Sequence, residues 1–420
     1  MATRRGLLGV AAGLAGAVGL GAAADQPPLT KTEGVAPGRV LPFYGPHQNG
    51  IATPMQAHTY FAAFDLVAEK REDVAALMQR WTDAAAKMTQ GLPIGPSTDP
   101  DAPPGDSGDV AGLPPSRLPL TFGFGATLFS KDGKDRYGIA SQRPAAFVDL
   151  PRFVGDELVP ERTGGDLSVQ ACADDPQAAM HAVRQLMRLA YGVANVRWVQ
   201  AGFLPGYPPN ETPRNLMGFK DGTFNVPVAD PAAMNQHVWV GQEAGAWMRG
   251  GSYMVARPIR IALEHWDRMR LSFQEQTVGR QKASGALLGQ TDEFAPMKLD
   301  ATDKDGNPIV PENAHVRLAA PQSNDGAQIL RRGYSYDNGI SMVAERWPPW
   351  RHAMELDAGL FFVCYQRDPR TGFIKIFDRM AKFDMLNQFV THIGGGLFAC
   401  PPGTTPGRYL AQDLFEAVKT

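Results

Sequence analysis

"DLSVQACADDPQAAMHAVRQLMRLAYGVANVRWVQAGFLP" (residues 166–205) decides the fold class. Residues 166–173 and 196–205 read as strands, the second rich in β-branched and aromatic side chains. Between them, Asp175 is placed to cap a helix and Pro176 to occupy its first position. Ala179, Val183, Leu186 and Ala190 recur at helical spacing and predict one apolar stripe. The segment therefore reads strand, helix, strand.

Working outward toward the N-terminus, 118–129 and 57–68 read as strands and 71–91 as an amphipathic helix. Residues 92–116, dense in Pro, Gly and Asp, predict a surface loop. The order strand, helix, strand, strand, helix, strand is the split βαβ, or ferredoxin-like, pattern. The second half repeats it, with strands at 251–263 and 359–368, a helix at 264–280 and another within 372–390. A long irregular stretch, about 281–340, interrupts it; a stretch of that length inside a compact domain is usually functional. The expected fold class is α+β: two ferredoxin-like halves, 56–215 and 216–420, with antiparallel sheets packed as one unit and the site in the second half.

The N-terminus reads as an export signal. Arg4 and Arg5 precede an uncharged Gly/Ala-rich run that ends in Ala22-Ala23-Ala24, the order of a cleavable secretory signal with a twin-arginine (Tat) pair. Residues 1–24 are the expected signal and 25–55 an extended lead-in, with a periplasmic or extracellular destination. Cleavage would shift the net charge from −2 to −4 and leave no segment able to span a bilayer. Neither charge favours nucleic acid or an anionic membrane surface. Cys172, Cys364 and Cys400 make no disulfide framework and no C-x-x-C, and read as buried hydrophobes. The seven tryptophans read as core packing.

The chemistry centres on "GFKDGTFNVP" (218–227), which presents Asp221 between glycines. By itself this is also an ordinary turn, with Asp opening it and Gly supplying φ > 0. The eight histidines form no H-x-H, H-E-x-x-H or H-x-x-x-H pair, and no G-x-S-x-G, P-loop or G-x-G-x-x-G motif is present. His315 taken alone is a loop histidine, and Arg331-Arg332 taken alone is surface charge.

Together these stretches resemble a family. "GFKDGT", "AHVRLAAP" (314–321) and "ILRRGYSYDNG" (329–339), followed by "GLFFVCYQRD" (359–368) and "IGGGLFACPPG" (393–403), occur in the order seen in dye-decolorizing (DyP-type) haem peroxidases. The resemblance runs from roughly residue 55 to 415 and is nearest the exported subgroup that includes deferrochelatase/peroxidase proteins. It implies one non-covalent haem b per chain, bound in the C-terminal half, for which a single protein ligand suffices. It implies His315 as the iron ligand, Asp221 as the acid/base and Arg331 beside it, with Gly222, Thr223, Phe224, Ala320 and Pro321 against the haem. Asp384 is the candidate partner of His315. Two departures stand out: Gln322 where the family often has the Arg of Asn-Pro-Arg, and Gly333 where some members carry an Asn.

The implied activity reduces hydrogen peroxide and oxidises a bulky organic reductant in one-electron steps. A carboxylate beside an arginine stays ionised into acid, so an acid optimum is expected. Two alternatives remain: removal of iron from haem with the porphyrin intact, and a non-catalytic haem-binding module. The resemblance also implies self-association into a homo-oligomer.

Overall fold

The computed structural model describes residues 38–208, 211–344 and 352–416. The expected signal (1–24) and the first part of the lead-in (25–37) lie outside the described residues. The rest of the lead-in is not simply extended. Asn49–Ala52 forms a helical turn that buries Ile51 completely. Gln48, also buried, bonds Phe122 through both its N–H and C=O groups. A short buried side chain thus ties this turn to the sheet.

Among the described residues, ten strands form one antiparallel system: β1 (His58–Leu66), β2 (Leu120–Gly125), β3 (Leu167–Ala173), β4 (Ala194–Phe203), β5 (Ser252–Ile261), β6 (Leu330–Arg331), β7 (Tyr334–Ala344), β8 (His352–Gln366), β9 (Val390–His392) and β10 (Gly396–Cys400). In the first half the spatial order is β4-β1-β3-β2, which is the ferredoxin-like order. The second half repeats it. β6 and β7 share one edge of β8, β9 and β10 share one edge of β5, and the order is β10-β5-β8-β7. β4 pairs with β7 and β10 with β2, so the two sheets close into one barrel. The described residues belong to a single compact unit.

Alternation along the strands sorts the core into two layers. Phe61 and Ala63 point inward with Trp198, Met254, Tyr336, Phe361, Tyr365 and Phe398. Ala62 and Phe64 point outward against the helices Arg71–Met88 and Pro176–Leu189. The second helix starts as read: Asp175 accepts a hydrogen bond from the Ala178 N–H at 2.9 Å, and the expected stripe is buried. Five tryptophans are buried, as are the three free cysteines; Trp347 and Trp350 lie outside the described residues. No helix among the described residues is long and apolar enough to cross a membrane.

Three expectations need correction. The 118–129 strand ends at Gly125 and turns into a short helix, Ala126–Phe129. The 264–280 helix is two pieces, Leu263–Trp266 and Leu271–Val278. Gln274 Nε2 donates to the carbonyls of Trp266 (3.0 Å) and Met269 (3.1 Å), which a continuous helix would use internally. The buried Trp266 indole is meanwhile held by Met217 O at 3.1 Å. Finally, the irregular stretch ends near residue 329, because β6 and the start of β7 occupy 330–340.

Candidate active site

A cavity of about 800 Å³ opens on the outer face of β5, β7 and β8, in the second half. Its volume lies within the range of cofactor sites, roughly 300–1,000 Å³. Ile259, Leu360, Phe362, Phe377 and Met380 give it apolar walls. Every residue named from the sequence lines it: Asp221, Gly222, Thr223, Phe224, His315, Ala320, Pro321 and Arg331. So do Asp384 and the two departures, Gln322 and Gly333.

Asp221 sits on a stapled hairpin. Its N–H donates to Pro213 O at 2.8 Å, Arg214 bridges Lys220, and the Asn215 N–H reaches Phe219 O at 3.0 Å. The Arg214 guanidinium donates to the carbonyls of Gly218, Lys282 and Ala283. Gly222 has φ +120°, which an L side chain rarely adopts. The chain must turn there to present the preceding carboxylate to the cavity.

Arg331 reaches the same place from β6. Its Nη1 donates to Asp221 Oδ1 at 2.8 Å, and each side chain is 32% exposed. Asn225 fixes this relation: it accepts from the Arg331 N–H at 2.9 Å and donates to the Arg331 carbonyl at 2.8 Å. One side-chain amide thus stands in for a neighbouring strand. Among the described residues, Asp221 Oδ2 has only a long contact, 3.5 Å, from Asn215 Nδ2, so it is the less engaged of the two oxygens.

On another wall, His315 opens the short helix His315–Ala319. Its Nδ1 lies 2.7 Å from Asp384 Oδ2. A carboxylate only accepts, so in the neutral imidazole Nδ1 carries the proton and Nε2 keeps its lone pair for another partner. Asp384 Oδ1 accepts the Leu386 N–H at 2.8 Å, so both its oxygens are anchored. Burial pulls the His315 pKa down, but the charge and hydrogen bond of Asp384, helped by Asp221, outweigh it and raise the value above the ordinary 6.5. Arg331 opposes that rise. The acid, the arginine and the histidine therefore feel one another across one cavity.

The sequence reading missed several residues that build this site. Asn225 lay inside the quoted loop but had no recognisable role before its partner was known. Arg280, buried, places its guanidinium 5.4 Å from the Phe224 ring centre. Glu293 accepts from Lys220 and from Thr223 (3.0 Å), and no local pattern marked it.

Models of the DyP-type peroxidase N-terminal and C-terminal regions match residues 48–204 and 212–405. The chain belongs to the DyP-type peroxidase family. The dye-decolorizing peroxidase of Thermobifida fusca is 40% identical over 385 residues, covering 88% of this chain and 84% of the relative. The deferrochelatase of Yersinia pseudotuberculosis is 37% identical over 386 residues, covering 90% and 85%. Among solved structures, the oxyferrous/water mixed complex of DtpA from Streptomyces lividans superposes with a TM-score of 0.81 at 40% identity, covering 90% of this chain and 98% of that one. A DyP-type peroxidase from Streptomyces coelicolor gives 0.81 at 39% identity, covering 90% and 97%. In this DyP-type chain the Asp221–Arg331 pair and the His315–Asp384 pair line the same cavity.

Proposed function

We propose that this chain is a haem-dependent peroxidase that reduces hydrogen peroxide and oxidises bulky organic reductants one electron at a time. The observation that carries the reading is the pairing of an anchored acid–arginine couple with a carboxylate-backed histidine in one apolar cavity. The residues present fit a non-covalent haem b. The volume is adequate, the walls are apolar, and one imidazole nitrogen is free for iron while the other is held by a buried carboxylate. Haem would supply the redox centre at which peroxide binds and its O–O bond is cleaved.

His315 would hold the iron through Nε2, and Asp384 would fix its tautomer and increase its donor strength. Asp221 Oδ2 would take a proton from the near oxygen of peroxide and return it to the far oxygen, so that water leaves. Arg331 would hold Asp221 in place and stabilise the charge that separates in the same step. Apolar walls limit competing solvent. Gln322 brings an uncharged amide to the wall where the family often has arginine, so any support for a haem propionate there would be a hydrogen bond without an ion pair.

The test is the visible spectrum of the purified protein, followed by rapid mixing with peroxide, for wild type and His315→Ala. The expected result is a Soret band that shifts on mixing and is lost in the variant. No Soret band after haem is supplied would overturn the reading. Relatives named deferrochelatase support a second reading, iron release from haem; free protoporphyrin after anaerobic incubation with haem would establish it. We further propose export through the Tat pathway, on Arg4-Arg5 and Ala22-Ala23-Ala24, and self-association. Cell fractionation and light scattering test these two.

A further inference from the structure

We infer that Glu293 is the positioning residue of the Asp221 loop: one carboxylate that grips the chain on both sides of the acid. The inference rests on the reading of Asp221 as acid/base. Glu293 lies in the segment between Gly279 and Leu330, and it is only 9% exposed. Its Oε2 accepts from Lys220 Nζ, immediately before Asp221. Its Oε1 accepts from Thr223 Oγ1 at 3.0 Å, two residues after Asp221. Thr212, at the start of the hairpin, lies near enough to help lower the Glu293 pKa. The two oxygens therefore fix the span from 220 to 223, the arc that contains Asp221 and the φ +120° turn at Gly222.

The surroundings are shaped for this contact. Gly285 has φ +78°, and a Cβ there would lie 2.6 Å from Lys220 Cδ and 3.3 Å from Glu293 Cδ. The turn needs glycine both for its backbone and to let the lysine stem pass. Arg280 donates to the Glu293 backbone carbonyl at 3.4 Å and to Gly285 O at 2.6 Å, tying the same corner to Phe224. Burial opposes ionisation of Glu293, but the bonds from Lys220 and Thr223, the nearby Thr212 and the lysine charge lower its pKa overall. The clamp therefore stays charged where Asp221 must work. A glutamine keeps one acceptor oxygen for Lys220 but loses the charge, and its NH₂ must reverse the bond to the Thr223 hydroxyl, so Glu293→Gln weakens the grip on the arc.

The experiment compares haem-loaded wild type, Glu293→Gln, Glu293→Asp, Thr223→Val, Asp221→Asn and Asp221→Asn/Glu293→Gln. It measures kcat/KM for peroxide, KM for the reductant, and amide hydrogen exchange of residues 213–225. We expect Glu293→Gln to lower peroxide kcat/KM roughly 10- to 100-fold, as slight misplacement of a catalytic group does, at unchanged reductant KM. Loop exchange should accelerate, Glu293→Asp should recover part of the loss, and Glu293→Gln should cost nothing further in the Asp221→Asn background. Thr223→Val frees one end only and should fall in between; it decides the matter if Glu293→Gln does not fold. Full peroxide kcat/KM in Glu293→Gln, or in Thr223→Val if that alone folds, would overturn the inference while leaving the acid/base reading intact. Full activity of Asp221→Asn would overturn that reading and the inference with it.

Discussion

The two halves of the barrel have the same strand order and use their outer faces in opposite ways. In the first half an 18-residue helix and a 14-residue helix cover the sheet. Trp81 locks them together, its indole donating to Leu186 O at 2.9 Å. In the second half the first helix is broken into pieces of four and eight residues. Gly279 ends the second piece with φ +87°, and a Cβ there would strike Val316 Cγ1 at 2.4 Å. The chain then runs irregularly to β6 before rejoining the sheet, and a cavity opens on that outer face. A ferredoxin-like half becomes a site when its face is left incompletely covered and the rim is stapled by polar side chains. The first half puts its burial into stability, and the second keeps an apolar space for a ligand.

That contrast breaks if a change in the rim costs mainly stability, or a change in the first-half core costs mainly activity. The largest expected effect is on chemistry. Asp221→Asn keeps the size of the side chain but removes the proton acceptor, and should slow the peroxide reaction by about 10²- to 10⁴-fold. Its haem content and urea midpoint should stay near those of wild type; stopped-flow mixing and equilibrium unfolding check this. The mirror experiment is Trp81→Ala. Trp81 is 1% exposed, and its loss should cost about 3–5 kcal/mol of stability. The surviving folded fraction should react with peroxide at the wild-type rate.

How far the sequence revealed each half follows from the same contrast. The first half obeys local rules: Asp175 caps, Pro176 begins, and the stripe from Ala179 to Ala190 faces the sheet. In the second half the break at 267–270 is caused by Gln274 and Met217, partners several residues or a whole element away, so helical periodicity ran straight through it. The irregular segment was legible only as a length. Within the site, Asp221, His315 and Arg331 stood out because their strings resembled a family, and Asp384 was named only as a candidate partner of His315. Asn225 and Glu293 act through backbone groups and side chains 70 to 106 positions away, and no pattern within one window contains that.

A smaller effect sharpens the contrast inside the second half. The Asp384 carboxylate bonds His315 through one oxygen and the Leu386 N–H through the other. Asp384→Asn keeps an acceptor but removes the charge that supports the imidazole. A 10- to 100-fold loss in haem affinity or peroxide rate is expected, read by haem transfer to apomyoglobin and by stopped flow. A loss of fold instead would place Asp384 in the core and not in the site.

The smallest expected effect lies in the first half, where the loop 92–116 is pinned by charge rather than stapled around a cavity. His181, on the Pro176–Leu189 helix, places Nδ1 2.8 Å from Asp109 Oδ1. Burial raises the Asp109 pKa, but hydrogen bonds from Ser107 and His181 and the histidine's charge outweigh it and bring the value down to about 2. A lowered folded pKa stabilises the fold in full above the unfolded value of 3.8 and loses that contribution as pH falls toward about 2. Asp109 is partly solvent-screened, so the contribution is about 1 kcal/mol. Asp109→Asn should therefore lower the urea midpoint slightly at pH 6, and the gap from wild type should close as pH falls from about 4 toward 2. The peroxide rate should not change at any pH in that series, because the loop does not line the cavity at Asp221. A rate change that followed the Asp109 titration would couple the two halves and end the division of labour argued above.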